Sequence, residues 1–337
     1  MERYAVQTVN TQKSIGYDCA AVGAAMCRNA LMDEVYTTPK PGLVDRHDTG
    51  AHTDMDCDTF RKSADAVAPY LGQMFVQGIL NGCRGGTGKS LFRAINETGI
   101  AAEEAMNTAT DGVNTHKGAI FTLGLIMAAT GSCIGKRTGR IPENSGKGFG
   151  LVPAEKSFGL SPDEILFGSI PNEVLFGLTS DEILSEIKNL FADAIYDDIG
   201  NVLRRAPESF GEKLIHEGNS GIRGEAAAGF PVIADVGLPA YREAMRVGAG
   251  YEDVKLHTLL SIMAELNDTC VIKRGSYAGA ELVKKEASRI LAETEIGSTA
   301  RRQQLAAMNE MCIRENLSPG GSADMLAAVI LINNFFN

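Results

Sequence analysis

The part of this 337-residue sequence richest in residues that could do chemistry spans residues 37–56 and reads TTPKPGLVDRHDTGAHTDMD. Its prolines stiffen the backbone, and Gly42 and Gly50 allow the chain to turn close to a ligand. The mixture could bind phosphate, hold a metal ion and supply a general acid or base, although a salt-bridged surface loop explains the same composition equally well. The candidates are Lys40, Asp45, Arg46, His47, Asp48, His52, Asp54 and Asp56.

Carboxylates are unusually dense in residues 45–58, which hold five of them together with two histidines. Asp54, Asp56 and Asp58 match the first, third and fifth ligands of an EF-hand loop, but Thr59 stands where that loop requires glycine, so we reject a calcium-sensor interpretation. Hard oxygen ligands suit Mg²⁺ better than zinc. The sequence therefore favours Mg²⁺ as the metal at this loop.

Four further segments combine polar residues and glycines at predicted helix junctions. Amides at a helix start favour anions, and an arginine between glycines can grip phosphate with two parallel hydrogen bonds. Each alone is typical of ordinary turns, but cations gathered in such loops of an acidic protein indicate a local anion site. The segments are GVNTHKGAIFTLG (112–124) with His116 and Lys117, GIRGEAAAGFP (221–231) with Arg223 and Glu225, NDTCVIKRG (267–275) with Asp268 and Arg274, and SPGGSADM (318–325) with Ser318 and Ser322.

The segment CRGGTGKS, residues 83–90, is close to a phosphate-binding P-loop. The GxxxxGK[ST] pattern requires glycine where Cys83 stands, and a P-loop also follows a strand in a parallel sheet, which this sequence does not predict. We therefore interpret the segment as a glycine-rich surface loop.

Apolar spacing predicts helices along nearly the whole chain. Residues 16–36 form an alanine-rich helix that must end by Thr38, because Pro39 disfavours helical geometry in the residue before it. Residues 58–80 contain Pro69, so we expect a kink or two helices there. Residues 256–266 and 305–312 repeat apolar side chains every three or four positions, which is typical of amphipathic helices.

Two S/T-x-x-E pairs, Ser161 with Glu164 and Thr179 with Glu182, predict successive helix starts. Because alternation with a period of two is nearly absent, we predict an all-α fold with the 37 glycines concentrated between helices. The sequence shows no linker that would mark a boundary, so residues 1–337 are expected to form one domain. Within it, residues 132–154 are the candidate for a flexible loop.

Composition argues against several functional classes. Against 32 Lys and Arg stand 42 Asp and Glu, and the resulting charge of −10 argues against a nucleic-acid binder. The N-terminal residues do not resemble a secretory leader, and the apolar run 118–131 is shorter than the roughly 18 to 20 residues that span a bilayer, so no membrane role is expected. Seven scattered cysteines indicate reduced thiols. We expect a cytoplasmic protein.

Five of these segments, taken in order, resemble the triphosphoribosyl-dephospho-coenzyme A synthase family. The matching motifs are TPKPGLVDR…GAH.DM, G.NTHKG.IF.LG, RGEA..GFP, DT…RG and SPGGSAD.LA, which extend over residues 32–328, with residues 132–218 matching only loosely. The resemblance implies an all-α enzyme that joins ATP to 3′-dephospho-CoA and releases adenine. It also implies that the product is the precursor of the prosthetic group on the acyl carrier of citrate lyase or malonate decarboxylase, which a carrier-loading transferase would receive.

The sequence departs from the family pattern in the DT…RG segment, where Cys270, Lys273 and Ser276 replace the family's Asn, His and second Gly. Asp268, Thr269 and Arg274 are kept. These three replacements change the side chains that this segment can offer to a bound ligand.

The reaction implied by the resemblance assigns roles to the candidates. A ribose hydroxyl would attack C1 of the ATP ribose, so we expect Asp54 as the base and His52 as an acid or an orienting group. The triphosphate would stay on the product and serve for binding, with Mg²⁺. The metal candidates are Asp45, Asp56 and Asp268. The substrate-binding candidates are Lys40, Arg46, His116, Lys117, Arg223, Glu225, Arg274, Ser318, Gly320, Gly321 and Ser322, with Glu225 and Asp324 alternatively orienting the cations.

Two alternatives stay open from the residues alone. A Mg²⁺-dependent N-glycoside or ADP-ribose hydrolase would use similar groups with water as the acceptor. A nucleotide or coenzyme A sensor would bind the same ligands without chemistry. A homo-oligomer is possible in each case.

Overall fold

The computed structural model describes residues 2–138 and 177–335, and these residues form α-helices, one π-helix and no β-strand. The all-α prediction is thus confirmed. In chain order the helices are α1 (Glu2–Tyr36), α2 (Cys57–Arg84), α3 (Gly88–Ala109), α4 (Lys117–Thr138), α5 (Ser180–Leu203), α6 (Phe210–His216), α7 (Gly221–Ala228), the π-helix (Val232–Gly237), α8 (Leu238–Arg246), α9 (Tyr251–Glu265), α10 (Thr269–Glu293), α11 (Thr299–Arg314) and α12 (Gly320–Asn334).

Helices α2 and α4 form the centre of the core and share the most extensive contact between any two helices. A Cβ added to Gly78 would lie 2.0 Å from the carbonyl oxygen of Ala128, and one added to Gly131 would lie 2.1 Å from that of Phe75. Only glycine permits so close an approach of the two backbones. The prediction that glycines concentrate in loops is therefore wrong for these helices, because periodicity does not show which helix faces touch.

Helix α4 is long and apolar enough, by length and composition, to cross a membrane. However, 83% of its most hydrophobic window is buried inside the protein. Leu123, Ile126 and Met127 have no exposed surface. These observations are typical of the core helix of a globular protein.

Proline has different effects after α1 and inside α2. Helix α1 ends at Tyr36, as Pro39 predicts, although it begins earlier than expected. Helix α2 instead continues through Pro69 as one helix, so of the two expected outcomes, a kink or two helices, the second is wrong. A proline inside a helix costs about 3 kcal/mol, but the adjacent Val67, Ala68 and Leu71 are buried in the core. Tertiary packing outweighs the local preference.

Local sequence signals are confirmed at several helix ends. Thr179 and Glu182 form the predicted capping box of α5, whereas Ser161 and Glu164 lie outside the described residues. The segment CRGGTGKS is the junction of α2 and α3, with Thr87 capping α3. Of the predicted flexible segment 132–154, the described part, through Thr138, belongs to α4. The amphipathic segments lie in α9 and α11.

The starts of α4, α10 and α12 lie on the same side of the molecule as the 37–56 loop. The amide of Gly321 donates to Asp268, a Cβ on Gly118 would meet Asp324, and Arg274 donates to the carbonyl of Ala51. Four of the five polar segments identified in the sequence are therefore neighbours. The fifth, at α7, lines a cavity with the starts of α10 and α12.

Candidate active site

The 37–56 loop is held mainly by its own polar groups. The buried carboxylate of Asp45 accepts hydrogen bonds from the backbone amides of Lys40 (2.8 Å), His47 (2.7 Å) and Asp48 (3.2 Å). Asp48 in turn accepts from the amide of Gly50 and from the side chain of Asn309 on α11. Two carboxylates of the loop thus satisfy backbone donors.

Gly42 and Gly50 have φ angles of 72° and 57°. A Cβ on Gly42 would lie 2.3 Å from the carbonyl oxygen of Leu317, and one on Gly50 would lie 2.5 Å from the backbone of Leu43. The close approach expected at these glycines is therefore to other parts of the backbone. It packs the loop on itself and against the turn that precedes α12.

Lys40 is a buried cation, with 1% of its surface exposed. Its ammonium donates to the Glu34 carboxylate (2.5 Å) and to the Glu34 carbonyl (2.8 Å) at the end of α1. Burial raises the pKa of Glu34, and the charge of Lys40 opposes that shift. The ammonium is engaged inside the protein and does not face an open phosphate site.

His52 connects the loop to α10 and to the turn before α12. Its Nε2 lies 2.7 Å from the hydroxyl of Ser318, and its Nδ1 lies 3.0 Å from the guanidinium of Arg274. Because arginine can only donate, Nδ1 accepts and the proton resides on Nε2, which donates to Ser318. Burial and the charge of Arg274 lower the pKa of His52. The ring is therefore neutral at pH 7.

Asp54 lies beside this group, with one carboxylate oxygen 3.6 Å from Nδ1 of His52. Its side chain is 60% exposed. Arg274 also donates to the Ala51 carbonyl (2.7 Å) and to the Asn316 side chain (3.0 Å). The guanidinium thus fixes the end of the loop, while the carboxylate of Asp54 stays accessible.

Asp268 joins two helix starts. One carboxylate oxygen accepts from the amides of Cys270, Val271 and Gly321, and the other accepts from the amide and the hydroxyl of Ser322. Burial raises the pKa of Asp268, and these hydrogen bonds oppose the shift. The α12 amides expected to bind phosphate are therefore largely engaged, because the Gly320 amide also donates to the Ser318 carbonyl.

The start of α4 contains a buried histidine. Nδ1 of His116 lies 2.7 Å from the hydroxyl of Ser63, which accepts from Thr115, whereas Nε2 has no hydrogen-bond partner within the described residues. Burial lowers the pKa of His116 to about 3, and the charge of Lys40 adds to the shift. His116 is thus a neutral packing residue that also contacts the ring of Phe60.

Asp324 lies against the first turn of α4, where it accepts from the Ala119 amide. It retains some exposure, but the surrounding protein and the nearby carboxylates of Glu34 and Asp268 raise its pKa well above the usual range. The sequence analysis considers Asp324 only as a residue that orients cations. No local signal could show that it faces Glu34, 290 positions earlier in the chain.

Three more of the predicted phosphate ligands each pair with a different carboxylate of the protein. Arg46 pairs with Glu252 at 2.8 Å, Lys117 pairs with Glu103 at 2.6 Å, and Arg223 pairs with Asp198 at 3.0 Å. The structure therefore does not bring the five predicted cations together in one array. A partner close in space, which the sequence does not reveal, engages each of them.

The three predicted metal ligands are also separate. Asp45 and Asp268 accept the hydrogen bonds described above, and the exposed Asp56 caps α2, where hydrogen bonds from Thr59 lower its pKa. Among the described residues, no three His, Cys, Asp or Glu side chains are arranged to hold a metal ion. These aspartates do not form a common site.

Two of the departures from the family pattern have structural consequences. Ser276 interrupts α10 with a φ of 59° and a ψ of −174°, a conformation that is favourable only for glycine. The exposed Cys270 lies beside Gly320, whose added Cβ would be 3.3 Å from the thiol sulfur. The chain thus differs from the pattern at the backbone of α10 and at the start of α12.

Glu225 on α7 occupies a different environment. A cavity of about 240 Å³ lies between the start of α7, the π-helix, the α9–α10 connection and the start of α12, and Glu225 lines it. One carboxylate oxygen accepts from the amide of Val232 at 3.1 Å. Burial raises the pKa of Glu225, and nearby Asp235 adds to the shift. Glu225 does not contact Arg223, which turns towards Asp198.

A family model described as ATP:dephospho-CoA triphosphoribosyl transferase matches residues 20–148 and 177–336. The chain belongs to this family. Its activity is transfer of the triphosphoribosyl group of ATP to dephospho-CoA, and removing that group from ATP leaves adenine. The function, the two substrates and the enzyme class expected from the sequence are thus confirmed. The family's activity differs from both the hydrolase and the sensor alternatives.

Curated relatives agree with the family. A Vibrio cholerae protein named probable 2-(5''-triphosphoribosyl)-3'-dephosphocoenzyme-A synthase is 37% identical over 305 residues, covering 90% of this chain and 85% of the relative. The Escherichia fergusonii protein named 2-(5''-triphosphoribosyl)-3'-dephosphocoenzyme-A synthase is 33% identical over 316 residues, covering 93% and 90%. A Pectobacterium atrosepticum protein of that name is 34% identical over 308 residues, covering 91% and 87%. No solved structure matches the chain.

Proposed function

We propose that the transfer takes place where the 37–56 loop meets the starts of α10 and α12, with Asp54 as the base. The observation that carries this proposal is the exposed carboxylate of Asp54 beside a histidine held from both sides. The carboxylate would accept the proton of the ribose hydroxyl of dephospho-CoA as that oxygen attacks C1 of the ATP ribose. The bond from C1 to adenine breaks and the triphosphate stays on the product.

His52 is proposed as an orienting group rather than an acid. Its neutral ring donates to Ser318 and accepts from Arg274, so neither nitrogen has a proton available for adenine. The ring holds the Ser318 hydroxyl, and Arg274 holds the ring. This arrangement supports a role for His52 in fixing the position of the loop relative to the start of α12 around the reacting ribose.

The triphosphate is proposed to bind at the exposed rim of this site, with Arg46 and Arg274 as its nearest cations from the polar loops. Both guanidiniums are exposed. Arg46 can exchange its ion pair with Glu252 for phosphate at little cost. Arg274 keeps its three partners and can use its remaining N–H donors for phosphate. Mg²⁺ is proposed to arrive bound to the triphosphate, because Asp45, Asp56 and Asp268 are engaged in hydrogen bonds. It would neutralise phosphate charge and leave the carboxylate of Asp54 to act as the base.

The product is proposed to pass to a transferase that loads an acyl carrier, since it keeps a triphosphate that a later transfer can displace. Citrate lyase and malonate decarboxylase carriers are the candidate recipients. A cytoplasmic location and a homo-oligomeric assembly are part of the same proposal. The net charge of −10 supports small-molecule substrates rather than nucleic acid.

The test is a chromatographic assay with ATP, Mg²⁺ and 3′-dephospho-CoA that follows adenine and phosphate separately. The wild-type enzyme should release adenine with a larger coenzyme product and no phosphate. Asp54→Asn should lower turnover at least about 100-fold, the range of a lost general base, with an unchanged unfolding midpoint. The matched control is Asp58→Asn, an exposed aspartate paired with Arg61, which should retain activity. Near-normal turnover of Asp54→Asn would show that Asp54 is not the base.

A further inference from the structure

The cavity beside Glu225 has the size of a ring system rather than of a whole nucleotide. Its volume is about 240 Å³, below the roughly 300 to 1,000 Å³ of pockets that enclose drug-sized ligands. Its walls come from four separate parts of the chain, so its shape exists only in the folded protein. A planar group of one or two fused rings is the appropriate occupant.

The lining of the cavity combines apolar and polar groups. Ile222, Val232, Leu266 and Met325 supply apolar surface of the kind that covers the faces of a planar ring. Asn219, Asn267 and Thr269 supply polar groups. The amide oxygens of Asn219 and Asn267 already accept from the Gly221 amide and the Lys284 ammonium, which leaves their NH₂ groups as donors, and the Thr269 hydroxyl can donate or accept. The ring nitrogens of a purine base are acceptors for such donors.

The charges of the lining exclude phosphate. Glu225, Glu265 and Asp268 line the cavity, and among the described residues no lysine or arginine does. An anionic triphosphate would meet carboxylates without a compensating cation, whereas an uncharged base would not be repelled. The cavity therefore selects the nucleobase end of a nucleotide.

The backbone holds the Glu225 carboxyl in place. After α7, Gly229 and Phe230 both adopt positive φ angles, 86° and 56°, and the amide of Phe230 donates to the carbonyl of Glu225 at 2.7 Å. A fully buried phenylalanine in this conformation is strained, and such strain persists where the surrounding structure enforces it. The reversal brings the amide of Val232 to one carboxyl oxygen of Glu225. The other oxygen has no hydrogen-bond partner among the described residues.

We propose that this cavity binds the adenine of ATP and that the carboxyl of Glu225 donates its proton to a ring nitrogen of adenine as the glycosidic bond breaks. The proposal rests on the proposed function. The ribose hydroxyl oxygen of dephospho-CoA forms a bond to C1, and its proton goes to the base. The electron pair of the C1–N9 bond goes to adenine, the Glu225 proton goes to N7 or N3, and neutral adenine leaves beside the Glu225 carboxylate.

Two effects help the Glu225 carboxyl to keep its proton until the reaction. Burial raises the pKa of Glu225 and the charge of nearby Asp235 adds to the shift, while the hydrogen bond from the Val232 amide opposes it. The described lining of the cavity contains the carboxylates of Glu265 and Asp268 and no lysine or arginine. A general acid needs its proton near neutral pH, which an ordinary exposed glutamate does not have.

The first test is Glu225→Gln, assayed by adenine release. The amide keeps an acceptor for the Val232 amide but cannot deliver the proton, so kcat should fall about 100-fold or more while the unfolding midpoint stays within a few degrees. Glu225→Asp should recover part of the loss. The matched control is Glu217→Gln, an exposed residue at the end of α6, which should have wild-type kcat. A kcat of Glu225→Gln within a few-fold of the wild type would overturn the proposal.

The second test changes the other partner of the proton transfer. In 7-deaza-ATP and 3-deaza-ATP one ring nitrogen is replaced by carbon, so the analogue that lacks the accepting nitrogen should be a poor substrate for the wild type. Glu225→Gln should lose little further activity on that analogue, because both changes remove the same proton transfer. Losses that multiply for both analogues would show that Glu225 acts elsewhere and would overturn the proposal.

Dephospho-CoA also carries adenine, so the test must identify the source of the base. If the cavity held the adenine of dephospho-CoA, Glu225→Gln would raise the KM for dephospho-CoA and leave kcat unchanged, which would overturn the proposal. A wild-type enzyme that binds both substrates without releasing adenine would instead refute the proposed function. The two failures are thus distinguishable.

Discussion

Two regions of the enzyme use their polar residues in opposite ways. In the 37–56 loop, which contains eight of the candidate residues identified in the sequence, Lys40, Asp45 and Asp48 are engaged by groups of the protein itself. In the second region, the Glu225 cavity with the start of α12, charged residues are fewer. There Glu225 keeps an oxygen with no hydrogen-bond partner among the described residues, and Asp324 lies close to other carboxylates.

The comparison shows that many charged residues in one segment do not by themselves make a binding site. The sequence does not show whether each charged side chain already has a partner within the protein. A buried cation or carboxylate that already has its partner stabilises the loop, and Asp54 remains available because it is exposed. A carboxyl beside a cavity whose described lining contains other carboxylates and no lysine or arginine is less stable as an ion and more useful as an acid. The following experiments test this division, from the largest expected effect to the smallest.

Lys40→Met should cause the largest loss of stability. The substitution leaves the carboxylate of Glu34 buried without its closest cation, which typically costs about 3 to 5 kcal/mol. The free energy of unfolding, measured with urea, should fall accordingly. The double variant Lys40→Met/Glu34→Gln should regain part of that loss, since no buried charge is left alone. A stable single variant with a raised KM for ATP would instead indicate that Lys40 binds phosphate.

Asp268→Asn should destabilise the enzyme by about 2 to 3 kcal/mol, because hydrogen bonds to a charged group are each worth about 1.5 to 3 kcal/mol and asparagine keeps only one acceptor oxygen. The starts of α10 and α12 lose their common cap. Urea unfolding should give the same loss with Mg²⁺ and with a chelator. A Mg²⁺-dependent stabilisation of the wild type that the variant lacks would show that Asp268 is a metal ligand after all.

Asp324→Asn should change the pH dependence of stability. The folded protein keeps the Asp324 proton to a higher pH than the unfolded chain, in which the pKa of an aspartate is about 3.9. The folded state therefore binds more protons between the two pKa values, and wild-type stability falls as pH rises through that window. The variant does not show this loss of stability, which amounts to about 1.4 kcal/mol per unit of pKa shift. Urea unfolding at pH 5 and pH 8 should show its advantage growing with pH; an unchanged difference would contradict the raised pKa.

Arg223→Ala should have the smallest effect. The guanidinium pairs with Asp198 on a half-exposed surface, and such pairs contribute at most about 1 kcal/mol. The kcat and the KM for ATP should stay within about twofold of the wild type. Glu225→Gln, two residues away, is by contrast expected to lower kcat strongly. A tenfold rise in the KM for ATP would indicate that Arg223 turns towards phosphate in the bound enzyme.

The sequence determined the parts of the fold that depend on near neighbours. The helical period, the stop before Pro39 and the capping box at Thr179 were all predictable, because each involves residues within a few positions. The order of five motifs was enough to identify the family and the reaction. The helix junctions that carry the polar residues were also predicted, although Arg223 and Glu225 lie within α7 and Arg274 lies within α10.

Only the tertiary structure decided which of those polar residues remain available. Asp268 accepts from Ser322, 54 positions away, Arg223 turns to Asp198, 25 positions away, and Pro69 stays helical because its neighbours are buried. Glu225 and Asp324 have raised pKa values because of which residues surround them. Burial and pairing between distant residues are properties of the packed chain, and they determine whether a charged side chain stabilises the structure or takes part in the reaction.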